Sequence, residues 1–240
     1  MKILYGVQGT GNGHISRARA MAEAFAGHDD VEVQYLFSGR EESAYFDMAV
    51  FGNYQCRKGL TFVSHAGKVD VVKTAQQNDL WQFFKDVKAL DVRDYDLVIS
   101  DFEPVSAHAA KRHGIPSLSI SHQSAFTFDV PKRGQGLLDK FIMRHFAPTD
   151  VKIGLHWYHF NQPILPPIVD LTDKAASRGK TVLTYLPFER LDDVIEVLNH
   201  FSRRFCAFIL IAPCRYNIRM SQCGRLVRLN STKHCKNAGA

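Results

Sequence analysis

The chain has 240 residues, enough for one large domain or two small ones, and its 45% hydrophobic and 22% charged residues are the balance of a globular protein. Its net charge of +6 belongs to its end: residues 201–240 hold eight Lys/Arg and no Asp or Glu, while the remainder, with 22 basic and 24 acidic residues, is mildly acidic. Whole-chain basicity is therefore no argument for a nucleic-acid partner. No apolar run approaches the roughly 18 residues of a membrane span, and the sequence enters a strand directly, so the expectation is a cytoplasmic protein without a signal peptide.

Lys2–Val7 is short and apolar, as a buried first strand should be. Gly9, Gly11 and Gly13 follow at alternate positions, and Ile15, Ala18, Met21, Ala22 and Phe25 then recur at helical spacing. Strand, glycine turn and helix N-terminus together make a site where backbone N–H groups can meet an anion such as phosphate. The spacing predicts a second strand over Val31–Phe37, a helix over Glu41–Phe51, short strands at Tyr54–Arg57 and Leu60–Ser64, and a helical stripe through Leu80, Phe83, Phe84, Val87 and Leu90.

Asp96–Ser100 reads as another buried strand, Pro104–His113 as a helix opened by proline and closed by Gly114, and Ser117–Ile120 as the next strand. Leu137–Phe146 is a short helix flanked by Lys132, Arg133, Lys140, Arg144 and His145; it either meets acidic lipid headgroups or packs on its own domain. Val151–Trp157 closes the first domain, Asn161–Val169 is a stiff proline-rich connector, and Lys180–Leu186 with Leu191–Phe201 opens a second α/β unit. Strands alternating with helices predict a Rossmann-like parallel sheet flanked by helices, followed by the start of an incomplete second α/β lobe. The predicted divisions are 1–158, a linker at 159–170, a βα unit at 171–200, and a basic, cysteine-rich tail at 201–240. That tail breaks so abruptly in charge and cysteine use that a reading-frame shift near Phe201, or a premature end, is the expectation; a real basic extension is the alternative. Four of the five cysteines lie in it without a C-x-x-C pair, so a zinc site has little support. Cys56 reads as a half-buried structural thiol.

Ligands of open α/β sheets bind at the C-terminal ends of the strands, which directs attention to Gln8–His14, Ser38–Arg40, Asp101–Glu103 and Ser121–Ser124. A nicotinamide cofactor fits poorly: the third glycine of Gly9-Thr10-Gly11-Asn12-Gly13-His14 is one place early, and Phe37-Ser38 closes the second strand without an acidic residue. No P-loop pattern is present either.

The string GTGNGHISRA resembles the glycine-rich motif that opens the N-terminal domain of the GT-B glycosyltransferases, notably the MurG-like glycosyltransferase family 28. It matches that Gly-Gly-Thr-Gly-Gly-His pattern at Gly9, Thr10, Gly11, Gly13 and His14 and departs from it at Gln8 and Asn12. The order of ISDFEP, IPSLSISHQ, a proline connector and TVLTYLPFE extends the likeness over about Met1–His200. The resemblance implies an enzyme with an acceptor-binding N-terminal lobe and a donor-binding C-terminal lobe. It would move a sugar from a nucleotide-sugar, usually a UDP-sugar, to a glycan or lipid-linked acceptor, without a cofactor or required metal, at the inner membrane face or free in the cytoplasm.

Such a reaction needs a base for the acceptor hydroxyl and donors for the diphosphate leaving group. His14 is the first candidate base; its alternative is a structural hydrogen bond to the turn. Asp101 and Glu103 are candidates for a base or for sugar hydroxyls, and either can instead cap the helix at Pro104. Gly9, Thr10, Gly11, Asn12, Gly13 and Arg17 are candidates for holding phosphate or acceptor, although Arg17 and Arg19 are expected to face solvent. His122 and Gln123 fall where related enzymes often contact the acceptor. The scarcity of donor-lobe sequence leaves open an inactive chain or a non-catalytic binding domain for a glycan, a lipid-linked acceptor or a protein.

Overall fold

The computed structural model describes residues 1–65, 68–69, 71–132, 136–169, 181–186, 189–200, 204–211, 214–220 and 226–228. The chain divides into two compact units, Met1–Thr61 with Gln76–Thr172, and Phe62–Ala75 with Asp173–Ala240. In chain order the elements are β1 (Lys2–Gln8), α1 (Asn12–Phe25), β2 (Glu32–Ser38), β3 (Gln55–Arg57), β4 (Ser64–His65), β5 (Lys68–Val69), α2 (Val71–Gln77), α3 (Leu80–Ala89), β6 (Leu97–Asp101), α4 (Pro104–His113), β7 (Ser117–Ser121), α5 (His122–Ala125), α6 (Leu137–His145), β8 (Val151–Leu155), β9 (Ile164–Leu165), β10 (Thr181–Tyr185), α7 (Leu191–Asn199), β11 (Arg204–Ile211), β12 (Cys214–Met220) and β13 (Leu226–Arg228).

The first unit is built on a seven-stranded sheet in the order β3-β2-β1-β6-β7-β8-β9, with every pair parallel. β1 lies inside it and is buried on both faces, which is why it reads as a continuous apolar run rather than an alternating one. Ile3, Tyr5 and Val7 pack with Ile15, Ala18 and Ala22 of α1 on one side. Leu4 packs with Phe83 and Val87 of α3 and Val105, Ala109 and Ala110 of α4 on the other. The period of two in the strand thus sorts its side chains between two helical layers. Gly6 faces α4, where a Cβ would collide with Ser106 Oγ, so its lack of a side chain lets that helix approach β1.

From β1 the chain runs outward through β2 and β3 to one edge, then returns through β6 and continues to the other edge. The order reverses between β1 and β6, and a crevice outside the strand ends opens at such a point.

Three expectations are corrected. Glu41–Phe51 is not one helix but two short 3-10 turns, Glu42–Ala44 and Ala49–Phe51. Asp47 sits between them with φ 51°, and Arg19 takes the carbonyls of Phe46 and Asp47 that a helix would need. The segment Asn161–Val169 is not only a connector, because Ile164–Leu165 adds an edge strand beside Gly154–Leu155. Of the predicted strand Leu60–Ser64 only Ser64 is in a strand, Ser64–His65, which pairs with Lys68–Val69.

In the second unit β10, α7 and β11 form a strand–helix–strand with its two strands parallel. β12 and β13 continue this sheet antiparallel, with Arg215 in β12. The junction at 201–203 and everything after Arg228 lie outside the described residues.

Candidate active site at the sheet's switch point

Val7 and Asp101 are partners in the β1–β6 ladder. The ends of the two strands therefore leave side by side at the reversal point. α1 begins four residues after β1 with Gly11 as its N-cap, and no side chain caps it, so its first-turn N–H groups face the crevice unclaimed by any cap. His14 lies in that first turn. Its Nδ1 is 2.8 Å from Asp101 Oδ1, and Asp101 is fully buried. Arg17, one helical turn on, donates from Nε to Asp101 Oδ2 at 2.7 Å and from Nη2 to Oδ1 at 2.8 Å. This two-pronged contact fixes the carboxylate plane.

Burial pushes the Asp101 carboxyl up, but His14 and Arg17 outweigh it and hold it below the usual range. Arg17 is likewise disfavoured as a cation by burial and restored by Asp101. An ionised carboxylate takes a proton rather than giving one, so the geometry assigns Nδ1–H to His14. Arg17 Nη2, 3.2 Å from that nitrogen, then directs its hydrogen to Asp101. His14 Nε2 is left with its lone pair, and the Gln123 amide lies 3.4 Å from it. Gln123 Oε1 is buried without a partner.

Between Asp101 and Glu103 the chain reverses through Phe102, whose φ is 55°. A bulky residue in the left-handed region is strained by on the order of 1–3 kcal/mol, and stacking of its ring on Phe146, with centroids 4.7 Å apart, holds it there. The kink sends neighbouring carboxylates to different tasks. Asp101 turns to His14 and Arg17. Glu103 caps α4, accepting from Val105 N and Ser106 N, and takes the Ser38 hydroxyl at 2.6 Å. Burial pushes its carboxyl up, opposed by Ser106, Ser38 and Val105. With no exposed surface, Glu103 is out of reach of a solute.

The glycine turn divides by position. Gly9 N donates to Ser38 O at 2.6 Å, and a Cβ on Gly9 would press against that carbonyl and the Tyr45 ring. Gly13 faces open space. Thr10 Oγ1 accepts from Gln8 Nε2 and meets Thr61 Oγ1. Asn12 Oδ1 and Thr10 O accept from Arg40 Nη2. Beside this turn Arg40, Glu41, Lys58, Thr61, Gln77 and Asn78 line an open polar groove of about 340 Å³. His122 does not join His14: its Nδ1 bonds to Leu155 O and its ring stacks on His156. Among the described residues no cluster of His, Cys, Asp and Glu could hold a metal ion.

Sequence reasoning placed Arg17 at the surface, and the structure corrects this; its spacing of three from His14, on one helix face, was the available signal. It pointed to the Ser38–Arg40 loop but not to the contacts of Arg40 with Thr10 and Asn12 or of Ser38 with Glu103, which no local pattern marks. Arg19 is half-buried, its guanidinium over the Phe46 ring and donating to the carbonyls of Phe46 and Asp47.

A parallel sheet with its polar residues gathered at the strand-order reversal defines a Rossmann-like α/β domain of the GT-B type. The sequence matches the family described as "Glycosyl transferase family 1" over residues 1–212. The chain belongs to that family of glycosyltransferases. Among curated proteins none matches. Of solved structures, TcCGT1 in complex with UDP is similar at TM-score 0.50 and 10% identity, over 85% of this chain and 62% of that one. Streptomyces sp. SF2575 SsfS6 with thymidine diphosphate is similar at TM-score 0.49 and 11% identity, over 87% of this chain and 68% of that one. Acinetobacter baumannii MurG gives TM-score 0.43 and 14% identity, over 87% of this chain and 60% of its own. The chain thus spans roughly three-fifths to two-thirds of the length of these proteins.

Proposed function

We propose that this chain carries the acceptor side of a hexosyltransferase, with His14 as the base. The observation that carries the reading is the fixed relay Arg17–Asp101–His14, which leaves His14 Nε2 with its lone pair, met by the Gln123 amide at 3.4 Å. An acceptor hydroxyl there gives its proton to Nε2 while its oxygen bonds to the anomeric carbon of the donor. The bond from that carbon to the diphosphate oxygen breaks, and the nucleoside diphosphate leaves with the electron pair. Attack opposite the leaving group inverts the sugar centre. The imidazolium formed is stabilised by Asp101 and held in place by it.

The polar groove beside Arg40 and Asn78 suits a hydroxyl-rich acceptor, with amide and charged groups to meet sugar hydroxyls. The donor proposed is a UDP-sugar, as UDP accompanies TcCGT1, and no cofactor enters this chemistry. Donor binding falls to the second unit, of which the strand–helix–strand Thr181–Ile211 is the described part. The divisions 1–158, 159–170, 171–200 and 201–240 remain our proposal for its organisation, with the start of a donor lobe after the linker. The family match runs to residue 212, and a departure from family sequence within 201–240 stays part of that proposal. The closer kinship to MurG-like enzymes rests on the Gly9–His14 motif. Work at the cytoplasmic membrane face is likewise a proposal; among the described residues no helix is long and apolar enough to cross a membrane.

Release of nucleoside diphosphate from a panel of UDP- and TDP-sugars, with candidate glycan acceptors, tests the reading. Release should fall about 100- to 10,000-fold in His14→Ala. Acceptor binding with no release by the natural chain would instead favour a non-catalytic binding domain.

A further inference from the structure

Beside α5, α6 and β8 the first unit has an open groove of about 280 Å³. Lys132, Lys140, Arg144 and Lys152 line it, with Phe126 and Met143 as apolar wall and no acidic side chain among its lining. None of the four cations has a carboxylate partner among the described residues. The concentration is local, because residues 1–200 carry more acidic than basic side chains. Lys152 is half-buried; burial and the neighbouring Arg144 both push its ammonium pKa down. Bringing four like charges to one concave surface is unfavourable unless an anion joins them.

The groove shares lining residues with a second, smaller void. Thr127, Met143 and Lys152 line that void together with Gln123, whose amide reaches His14.

We propose that this groove binds a phosphoryl group carried by a partly apolar molecule. The guanidinium of Arg144 and the three ammonium groups match a phosphate dianion, and Phe126 and Met143 receive the apolar part. This goes beyond glycosyl transfer and does not require it.

The test is binding by the full chain in the absence of any sugar donor. Calorimetric titration with 1-naphthyl phosphate probes a soluble ester, and co-sedimentation with phosphatidylcholine vesicles containing phosphatidic acid probes a lipid headgroup. At least one should bind saturably, and more weakly as salt is raised. Lys152→Met and Arg144→Gln should each weaken that binding about tenfold or more. Lys152→Arg should restore much of it, and Lys111→Gln, at an exposed position on α4, should leave it unchanged. Ester binding alone identifies a soluble ligand, and vesicle binding alone a headgroup. Absence of both, equal binding of 1-naphthol, or unaltered binding in folded groove variants would overturn the proposal. Loss of nucleotide release in His14→Ala has no bearing on it.

Discussion

His14 and Asp101 are 87 residues apart in the chain and 2.8 Å apart in the fold. They meet because β1 and β6 are neighbours at the point where the strand order reverses. Neither residue alone defines a base: the imidazole needs a carboxylate to fix its tautomer, and the buried carboxylate needs Arg17 to remain charged. Asp101→Asn nearly keeps the shape but removes the charge and puts an NH2 donor where one carboxylate oxygen meets His14 or Arg17. It should lower turnover by at least about 100-fold with a smaller change in KM, as steady-state kinetics would show.

The same pair sets an acid limit on stability. The depressed Asp101 pKa contributes stability that is fully present above the unfolded value of about 3.9 and lost as pH falls through the lower folded value. Asp101→Ala leaves Arg17 buried without its partner, which costs about 3–5 kcal/mol. Urea titrations should show that loss at neutral pH, and the difference from the natural chain should shrink as pH falls below the usual carboxylate range.

Glu103 should act as a structural group. Glu103→Ala strips the cap from α4, worth about 0.5–2 kcal/mol, and leaves the Ser38 hydroxyl without its acceptor. A lowered melting temperature is expected, with turnover per folded molecule well above that of His14→Ala. Equal loss of turnover in the two variants would place Glu103 in the chemistry after all.

Two glycines of one motif should respond in opposite ways. Gly9→Ala forces a methyl group against Ser38 O and Tyr45 and should destabilise by about 1–3 kcal/mol. Gly13→Ala projects into open space within α1 and should be neutral or stabilising by up to about 1 kcal/mol. Any loss of ligand affinity in Gly13→Ala then reports crowding of the crevice rather than damage to the fold. Thermal melts with and without ligand separate the two.

The parts of this molecule that repeat a local rule were legible in the sequence. β1, α1, β6, α4 and β7 follow from apolar runs, helical spacing, Pro104 and Gly114, and each is found within a residue or two of its predicted bounds. His14 was visible as the one titratable group at the glycine turn. What escaped depends on contacts across the chain. The helix expected at Glu41–Phe51 loses to Arg19, which claims two of its carbonyls. The two-residue strand at Ile164–Leu165 exists because β8 offers it an edge, and its flanking prolines masked it. Arg17 looked like a surface cation because a buried arginine is written only in the position of its distant carboxylate. Asp101 and Glu103 were indistinguishable in sequence; the reversal at Phe102 sorts them.

Asp101 holds the proton on His14 Nδ1 and leaves the Nε2 lone pair to accept one. Two-dimensional 15N–1H NMR of the imidazole, at a pH where the ring is neutral, reads the tautomer directly. The expected spectrum is that of the Nδ1–H form for His14, with a shift toward a tautomeric mixture in Asp101→Asn. An Nε2–H form in the natural chain would leave no lone pair facing the crevice and would contradict the assignment of His14 as the base.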